Sequence, residues 1–223
     1  MFRKISVLLF LVFSLNLCSE EVPDLIWKAS KLYQTERAEL RNYKVQQTVE
    51  SVIRSDGSLE TEKRIQSGLF IAPSKFVFAV REKEVNGKIV LKGGKEIERS
   101  EKKEIEWLSS DALPLYKFEL IEKNDEISKF RVIPKRVFPE ARIGEIWISP
   151  KTLKIRRMIK QPVTLQKDFI SYRTEIFFEK DFAFQEPTKT VLDAVYISKG
   201  RKYSASVTAV FTDYTFNLEG DFR

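Results

Sequence analysis

The sequence contains no histidine and a single cysteine, Cys18. Without histidine there is no Ser-His-Asp triad and no Cys-His pair. A zinc site of the usual Cys/His kind is excluded for the same reason, and one thiol cannot close an intramolecular disulfide. Glycine and proline are sparse, 8 of each in 223 residues, and no Pro/Gly/Ser linker divides the chain. No repeat period is visible. Apolar runs are short too. The longest, Ile5 to Leu17, falls short of the about 20 residues a membrane-spanning helix needs.

Aromatic residues are abundant, with 17 Phe, 7 Tyr and 3 Trp. Many rings without reactive side chains suit holding a molecule better than converting it. Charges are mixed, 39 basic against 32 acidic residues, and 43% of the chain is hydrophobic. That is a globular composition, large enough for one core. The excess of +7 is small, the signs alternate and no recognition motif appears, so nucleic acid is not an expected partner.

Arg3 and Lys4 followed by the apolar run read as an export signal, residues 1–17, with the working domain at 18–223. Cys18 ends that run. A cysteine there resembles a bacterial lipobox, which would make Cys18 a lipid-attachment residue. Leu17 stands where such boxes have a small residue, so acylation at Cys18 and ordinary signal cleavage both stay open.

A helix is expected from Asp24 to Arg41. Leu25, Ile26, Ala29, Leu32, Tyr33 and Leu40 recur at helical spacing, while Lys28, Lys31, Gln34, Arg37 and Arg41 are expected to face away. From Tyr43 the period becomes two. Turn signals at Ser55-Asp56-Gly57, Asn86-Gly87, Gly93-Gly94, Asn124-Asp125, Ser149–Thr152 and Lys199-Gly200 cut the rest into about ten antiparallel strands. In the second of them Leu59, Thr61, Ile65, Leu69 and Ile71 read as the apolar face. The charged stretch from Lys92 to Glu106 reads as solvated, either an edge hairpin or an exposed helix, and Trp107–Pro114 as a short helix or lid. Gly93-Gly94-Lys95 lacks the spacing of a phosphate loop. Carboxylate pairs such as Glu119/Glu122 and Asp181/Glu186 have no argued partner, so an enzyme is not expected.

The fold class that follows is mainly β with few helices. A long antiparallel sheet, apolar on one face, curls. The result is an open half-barrel covered by the N-terminal helix and a short lid. Its interior is either solid core or a cavity. Alternation places Phe76, Phe78 and Val80 inward, opposite Lys75 and Arg81, and likewise Ile146, Ile148, Ile155, Val207 and Phe211. These eight are the candidate lining. Lys135, Arg136 and Arg142 are the candidate head-group residues. No metal or cofactor is called for.

Several segments resemble a known family. The signal, the helix start Leu25-Ile26-Trp27-Lys28-Ala29 and the strand start Asn42-Tyr43 resemble the LolA/LolB-like bacterial lipoprotein carriers. Gly144-Glu145-Ile146-Trp147-Ile148-Ser149-Pro150 is similar to that family's strand–turn–strand, with Ser149 in place of the usual Asp and Arg156-Arg157 as the basic pair. Phe211–Asn217 resembles its closing strand. The resemblance implies an unclosed barrel, a helical lid and a cavity for the acyl chains of lipids or lipoproteins. It further implies a place in the envelope of a Gram-negative-type bacterium, in the periplasm or on the inner face of the outer membrane. An envelope lipoprotein of the same fold, structural or bound to an envelope protein partner, is the alternative.

Overall fold

The computed structural model describes residues 22–73, 75–101 and 106–219. The expected signal at 1–17 and the acylation at Cys18 therefore lie outside the described residues. Within them, one α-helix, α1 (Asp24–Glu39), precedes a single 11-stranded sheet. The first four strands are β1 (Asn42–Ser55), β2 (Ser58–Ile71), β3 (Lys75–Val85) and β4 (Lys88–Glu101). The remaining seven are β5 (Tyr116–Lys123), β6 (Ser128–Pro134), β7 (Arg142–Ile148), β8 (Ile155–Pro162), β9 (Phe169–Phe177), β10 (Lys189–Ser198) and β11 (Arg201–Phe216).

The strand order is β4-β3-β2-β1-β11-β10-β9-β8-β7-β6-β5. Each meander is built from sequential hairpins, and the antiparallel pairing of β1 with β11 joins the two. β4 and β5 are left as the free edges of an open, curved half-barrel. The connection between them must pass from one edge of the sheet to the other. Asn86-Gly87 and Lys199-Gly200 turn as their sequence signals say, with positive φ at both central residues (50° and 78°, 49° and 76°).

Gly93-Gly94 does not turn the chain. β4 runs through it, and the register with β3 slips between Val80↔Glu96 and Glu82↔Lys92. Gly93, at φ 65°, marks a bulge in one long edge strand. The charged stretch is therefore an edge strand as far as Glu101, which accounts for its polarity.

The second strand also presents a different face from the expected one. Gln66 and Phe70 are buried with Gly68 between them, whereas Leu59 and Ile65 are exposed. Register with β1 is the reason. It sets Phe70 opposite Tyr43, Gly68 opposite Val45 and Gln66 opposite Gln47. Tyr43 and Phe70 then stack at 4.9 Å. Three cross-strand pairs on a filled face outweigh the bare alternation of Leu and Ile.

α1 lies in the hollow of the sheet. Ile26, Ala29 and Tyr33 pack with Phe118, Phe130, Val132, Ile146 and Ile148 from β5–β7 and with Trp107 and Leu108 from the β4–β5 connection. Ser30 donates to the Leu108 carbonyl oxygen at 2.7 Å, tying the helix to that connection. Trp107–Pro114 forms turns leading to a 3-10 turn at Leu113–Leu115, not a longer helix. On the convex face Trp147 is covered by the cations of Lys129 and Arg157, at 4.9 and 4.7 Å from its ring.

Candidate functional site

The helix does not fill the hollow. A cavity of about 340 Å³ remains between α1, the concave face and the β4–β5 connection. Its apolar wall comes from Phe76 and Phe78 on β3, Ile155 and Met158 on β8, Ile176 on β9, Phe178 just after it, and Phe211 on β11. Strand alternation explains the wall. Phe76 and Phe78 are two residues apart and stack with centroids 5.9 Å apart. Gly68 sits opposite Phe78 in the register. A Cβ at residue 68 would come to 3.0 Å from the Phe78 ring, so the glycine makes room for it.

A second cavity of about 610 Å³ adjoins the first toward the end of the helix, where Gln34, Pro73, Ser109, Ser110 and Asp111 line it. Tyr33, Arg37, Tyr43, Phe76, Glu106 and Glu186 line both cavities and form the neck between them. An inner chamber of mostly apolar walls therefore opens through an aromatic and ionic neck into a more polar outer chamber.

The neck is closely hydrogen-bonded. Arg37 donates from Nε to the Tyr33 hydroxyl at 3.0 Å, from Nη1 to Glu186 Oε1, and from Nη2 to the Gln185 carbonyl oxygen at 3.3 Å. Tyr43 donates to Glu186 Oε2 at 3.0 Å. Glu106 Oε2 stands 3.9 Å from Arg37 Nε. Behind the neck, Glu36 accepts from the Gln185 backbone N–H at 2.9 Å and pairs with Lys154 at 3.3 Å. Lys154 donates to the Phe182 carbonyl oxygen at 2.6 Å. Gln185 donates from its side chain to the Ile155 carbonyl oxygen at 2.8 Å. The helix is thus bound to the β9–β10 connection by polar contacts, and the apolar chamber lies beside that seam.

Burial pushes the Glu106 carboxyl up to about 7. The Lys160 ammonium opposes that shift, and the Glu186 carboxylate adds to it. Burial, reinforced by Glu186, also drives the Tyr43 hydroxyl well above the usual tyrosine range, so it stays a neutral donor. Tyr214 shifts the same way for the same reasons and donates to the Pro187 carbonyl oxygen at 2.8 Å. Lys160 lines the inner chamber although it is 5% exposed, with its ammonium 5.4 Å from the Trp107 ring centroid. Among the described residues, no group of three or more Cys, Asp or Glu could hold a metal ion.

Phe76, Phe78, Ile155 and Phe211 all reach the inner chamber. Val80, Ile146 and Ile148 are fully buried away from it, as packed core. Val207 is half-buried on the same concave face, opposite Ser51 of β1. Lys135 and Arg136 are exposed on the β6–β7 connection, and Arg142 is half-buried at the start of β7. None of the three lines either cavity. The cations that do are Arg37 and Lys160.

Arg37 does not face away from the sheet as the helical stripe implies. It sits one turn beyond Tyr33 and follows it into the neck, because Glu186 is there to receive it. Gln34 is also half-buried, donating to Ser30 Oγ at 2.7 Å. In the sequence Glu186 stands out only beside Asp181, which binds Arg156 instead, and Glu106 only as the end of a charged stretch, since each lies in an irregular connection where spacing says nothing about direction.

The class this geometry defines is an open antiparallel half-barrel with a helix in its hollow and a cavity between them. No family model and no curated protein matches the sequence. Solved structures do. A putative outer membrane lipoprotein-sorting protein domain from Vibrio parahaemolyticus is 10% identical, covers 88% of this chain and 95% of its own, and superposes with a TM-score of 0.44. A LolA superfamily protein from Nitrosomonas europaea is 8% identical over 86% and 94% of the two chains, with a TM-score of 0.37. The Pseudomonas aeruginosa MucA/MucB complex matches at 9% identity over 83% and 94%, with a TM-score of 0.24.

Proposed function

We propose that this chain is a non-enzymatic carrier that takes acyl chains of a lipid or lipoprotein into the inner chamber, in the envelope of a Gram-negative-type bacterium. Where Cys18 is acylated, that lipid anchors it to a membrane. The observation that carries the reading is the chamber itself, a space walled by Phe78, Met158, Ile176, Phe178 and Phe211 and left open beneath a helix. At about 340 Å³ it lies in the range of small-ligand pockets, about 300–1,000 Å³. Burial of one methylene contributes about 0.8 kcal/mol. About ten would give about 8 kcal/mol before the costs of association. No catalytic group is needed for that.

The test is direct. The purified chain is extracted with chloroform and methanol, and the extract is analysed by mass spectrometry. In parallel, the chain is titrated with the neutral fluorescent probe N-phenyl-1-naphthylamine. Co-extracted acyl lipid or saturable probe binding supports the carrier. An empty extract together with no probe binding overturns it.

A further inference from the structure

The strand order brings three connections of the second meander together at one end of the sheet. The β6–β7 connection (135–141) meets the β8–β9 connection (163–168), where the Val163 N–H donates to the Ala141 carbonyl oxygen at 3.1 Å. The Ile197 N–H donates to the Asp168 carbonyl oxygen at 2.8 Å, which adds the β10–β11 hairpin at Lys199-Gly200. Lys135, Arg136, Lys167, Lys199, Arg201 and Lys202 are all exposed there. None of the six is in an ion pair among the described residues. The acidic residues of these three connections are Glu140 and Asp168 alone. Between the cations stand exposed aliphatic side chains: Val137, 69% exposed, with Val163, Leu165, Ile170 and Ile197. Tyr196 and Tyr203 stack at 5.3 Å beside the hairpin, and Phe169 lies 5.8 Å from Tyr196. The other ends of the same strands differ. Their connections, 124–127, 149–154 and 178–188, carry five acidic residues against three basic, and none of their large apolar residues is exposed.

We propose that this end of the sheet docks on the surface of an anionic lipid bilayer. Exposed lysines alone are an ordinary solvated surface, and so are scattered exposed aliphatic side chains. Here both are gathered at one end, while the other end carries the opposite sign. A soluble polyanion would be met by the cations only. The aliphatic side chains gain from contact where phosphate head groups give way to acyl chains, so the mixture fits a lipid surface. Tyr196 and Tyr203 suit the same level, since an amphipathic ring keeps its hydroxyl in the head groups. The arrangement also gives Lys135 and Arg136, which reach neither cavity, a partner in the lipid phosphates. The docking needs no acyl group on Cys18 and is independent of what the chamber holds.

The experiment uses the full chain with Cys18→Ser, which removes the only thiol and any acyl anchor with it. A single new thiol, from Val137→Cys, Ile197→Cys or Asp125→Cys, carries the fluorophore nitrobenzoxadiazole. Vesicles of one part phosphatidylglycerol to three parts phosphatidylcholine are added. The emission is expected to shift to the blue at positions 137 and 197 and to stay unchanged at 125, at the other end of the sheet. The shift should vanish on pure phosphatidylcholine vesicles and weaken steeply in about 0.5 M salt. Lys199→Gln, Arg201→Gln and Lys202→Gln together should weaken vesicle binding by up to about a hundredfold, about fivefold per cation. All these positions are exposed, so an unchanged urea midpoint separates lost docking from lost folding. No shift at 137 and 197, an equal shift at 125, or equal binding to pure phosphatidylcholine overturns the proposal. A chain that binds heparin and leaves the vesicles unbound overturns it too, and assigns this end to a soluble polyanion. The carrier reading stands or falls separately, on the lipid extract and the probe.

Discussion

Arg37 of the helix and Glu186 of the β9–β10 connection, 149 residues apart in sequence, form an ion pair at the neck between the two chambers. Glu186 is 4% exposed and Arg37 28%. The pair fastens the helix over the sheet, so its loss has consequences for stability and for the cavity together.

Arg37→Ala should therefore be costly. It leaves the Glu186 carboxylate buried with the Tyr43 hydroxyl as its remaining partner. Removing one member of a buried pair costs about 3–5 kcal/mol, and the partial exposure of Arg37 places this case near the lower end, at about 3 kcal/mol. Urea unfolding measures it. A loss under about 1 kcal/mol would show that the helix is held by its apolar face alone.

Gly144→Ala tests a close approach between neighbouring strands. A Cβ at residue 144 would meet the Ile159 carbonyl oxygen at 1.9 Å and the Trp107 ring at 3.1 Å. Backbone cannot yield as a side chain can, so the substitution should cost at least about 3 kcal/mol, at or above the usual overpacking range. Gly57→Ala is the contrast. It has open space but φ of 79°, so strain alone acts, and the loss should be about 1 kcal/mol. Equal losses in the two variants would refute the steric account.

Ile146→Ala and Phe78→Ala separate core from lining. Ile146 is fully buried in close-packed surroundings and its truncation should cost about 2–5 kcal/mol. Phe78 is half-buried and faces the chamber. Its loss should fall below the about 3–5 kcal/mol of a buried aromatic while changing the affinity for N-phenyl-1-naphthylamine. A full core-sized loss at Phe78 with unaltered probe binding would mean that the chamber takes no ligand.

The pH dependence of stability carries a signature of Glu106. Its carboxyl rises from about 4.5 to about 7 on folding. The folded state therefore holds the proton more tightly. The stabilising contribution is complete below pH 4.5 and is lost as pH rises toward 7, a difference of up to about 3 kcal/mol. Glu62 runs the other way. Burial raises it, but the bonds from Arg64 and Lys83 prevail and lower it, so its contribution is lost in acid below about 4.5. Comparing wild type with Glu106→Gln isolates the first effect. Parallel stability profiles from pH 4.5 to 7.5 would rule it out.

Much of the fold is legible in the residues. The helix from Asp24, which ends at Glu39 rather than at the expected Arg41 because Leu40 is already extended, the hairpin turns at Asn86-Gly87 and Lys199-Gly200, and the inward side of β3 follow from local spacing. β2 does not, because the face that is richer in Leu and Ile is not the one that the pairing with β1 buries. The partner strand decides between the two faces by setting Phe70 on Tyr43. Gly93-Gly94 misleads for a related reason. Glycine permits a turn and a bulge alike, and the pairing with β3 selects the bulge. At the site, the rings of Phe76, Phe78 and Phe211 are readable by alternation. The neck is not, since Arg37, Glu106, Lys160 and Glu186 come from four places in the chain and show no common pattern.

By itself the sequence determined the economy of the molecule. No histidine and one cysteine confine it to chemistry without such groups, and period-two patterning commits it to one long antiparallel sheet with an apolar side. Tertiary structure decided what that side encloses. Hydropathy states that a residue prefers to leave water, and both a solid core and a cavity satisfy that preference. Which of the two forms depends on how closely a helix can approach a curved sheet. Here α1 packs tightly on β5–β7 and is tied by Arg37 to Glu186 of the β9–β10 connection, whose carboxylate also receives the Tyr43 hydroxyl of β1, and the chamber is the space left beneath the helix.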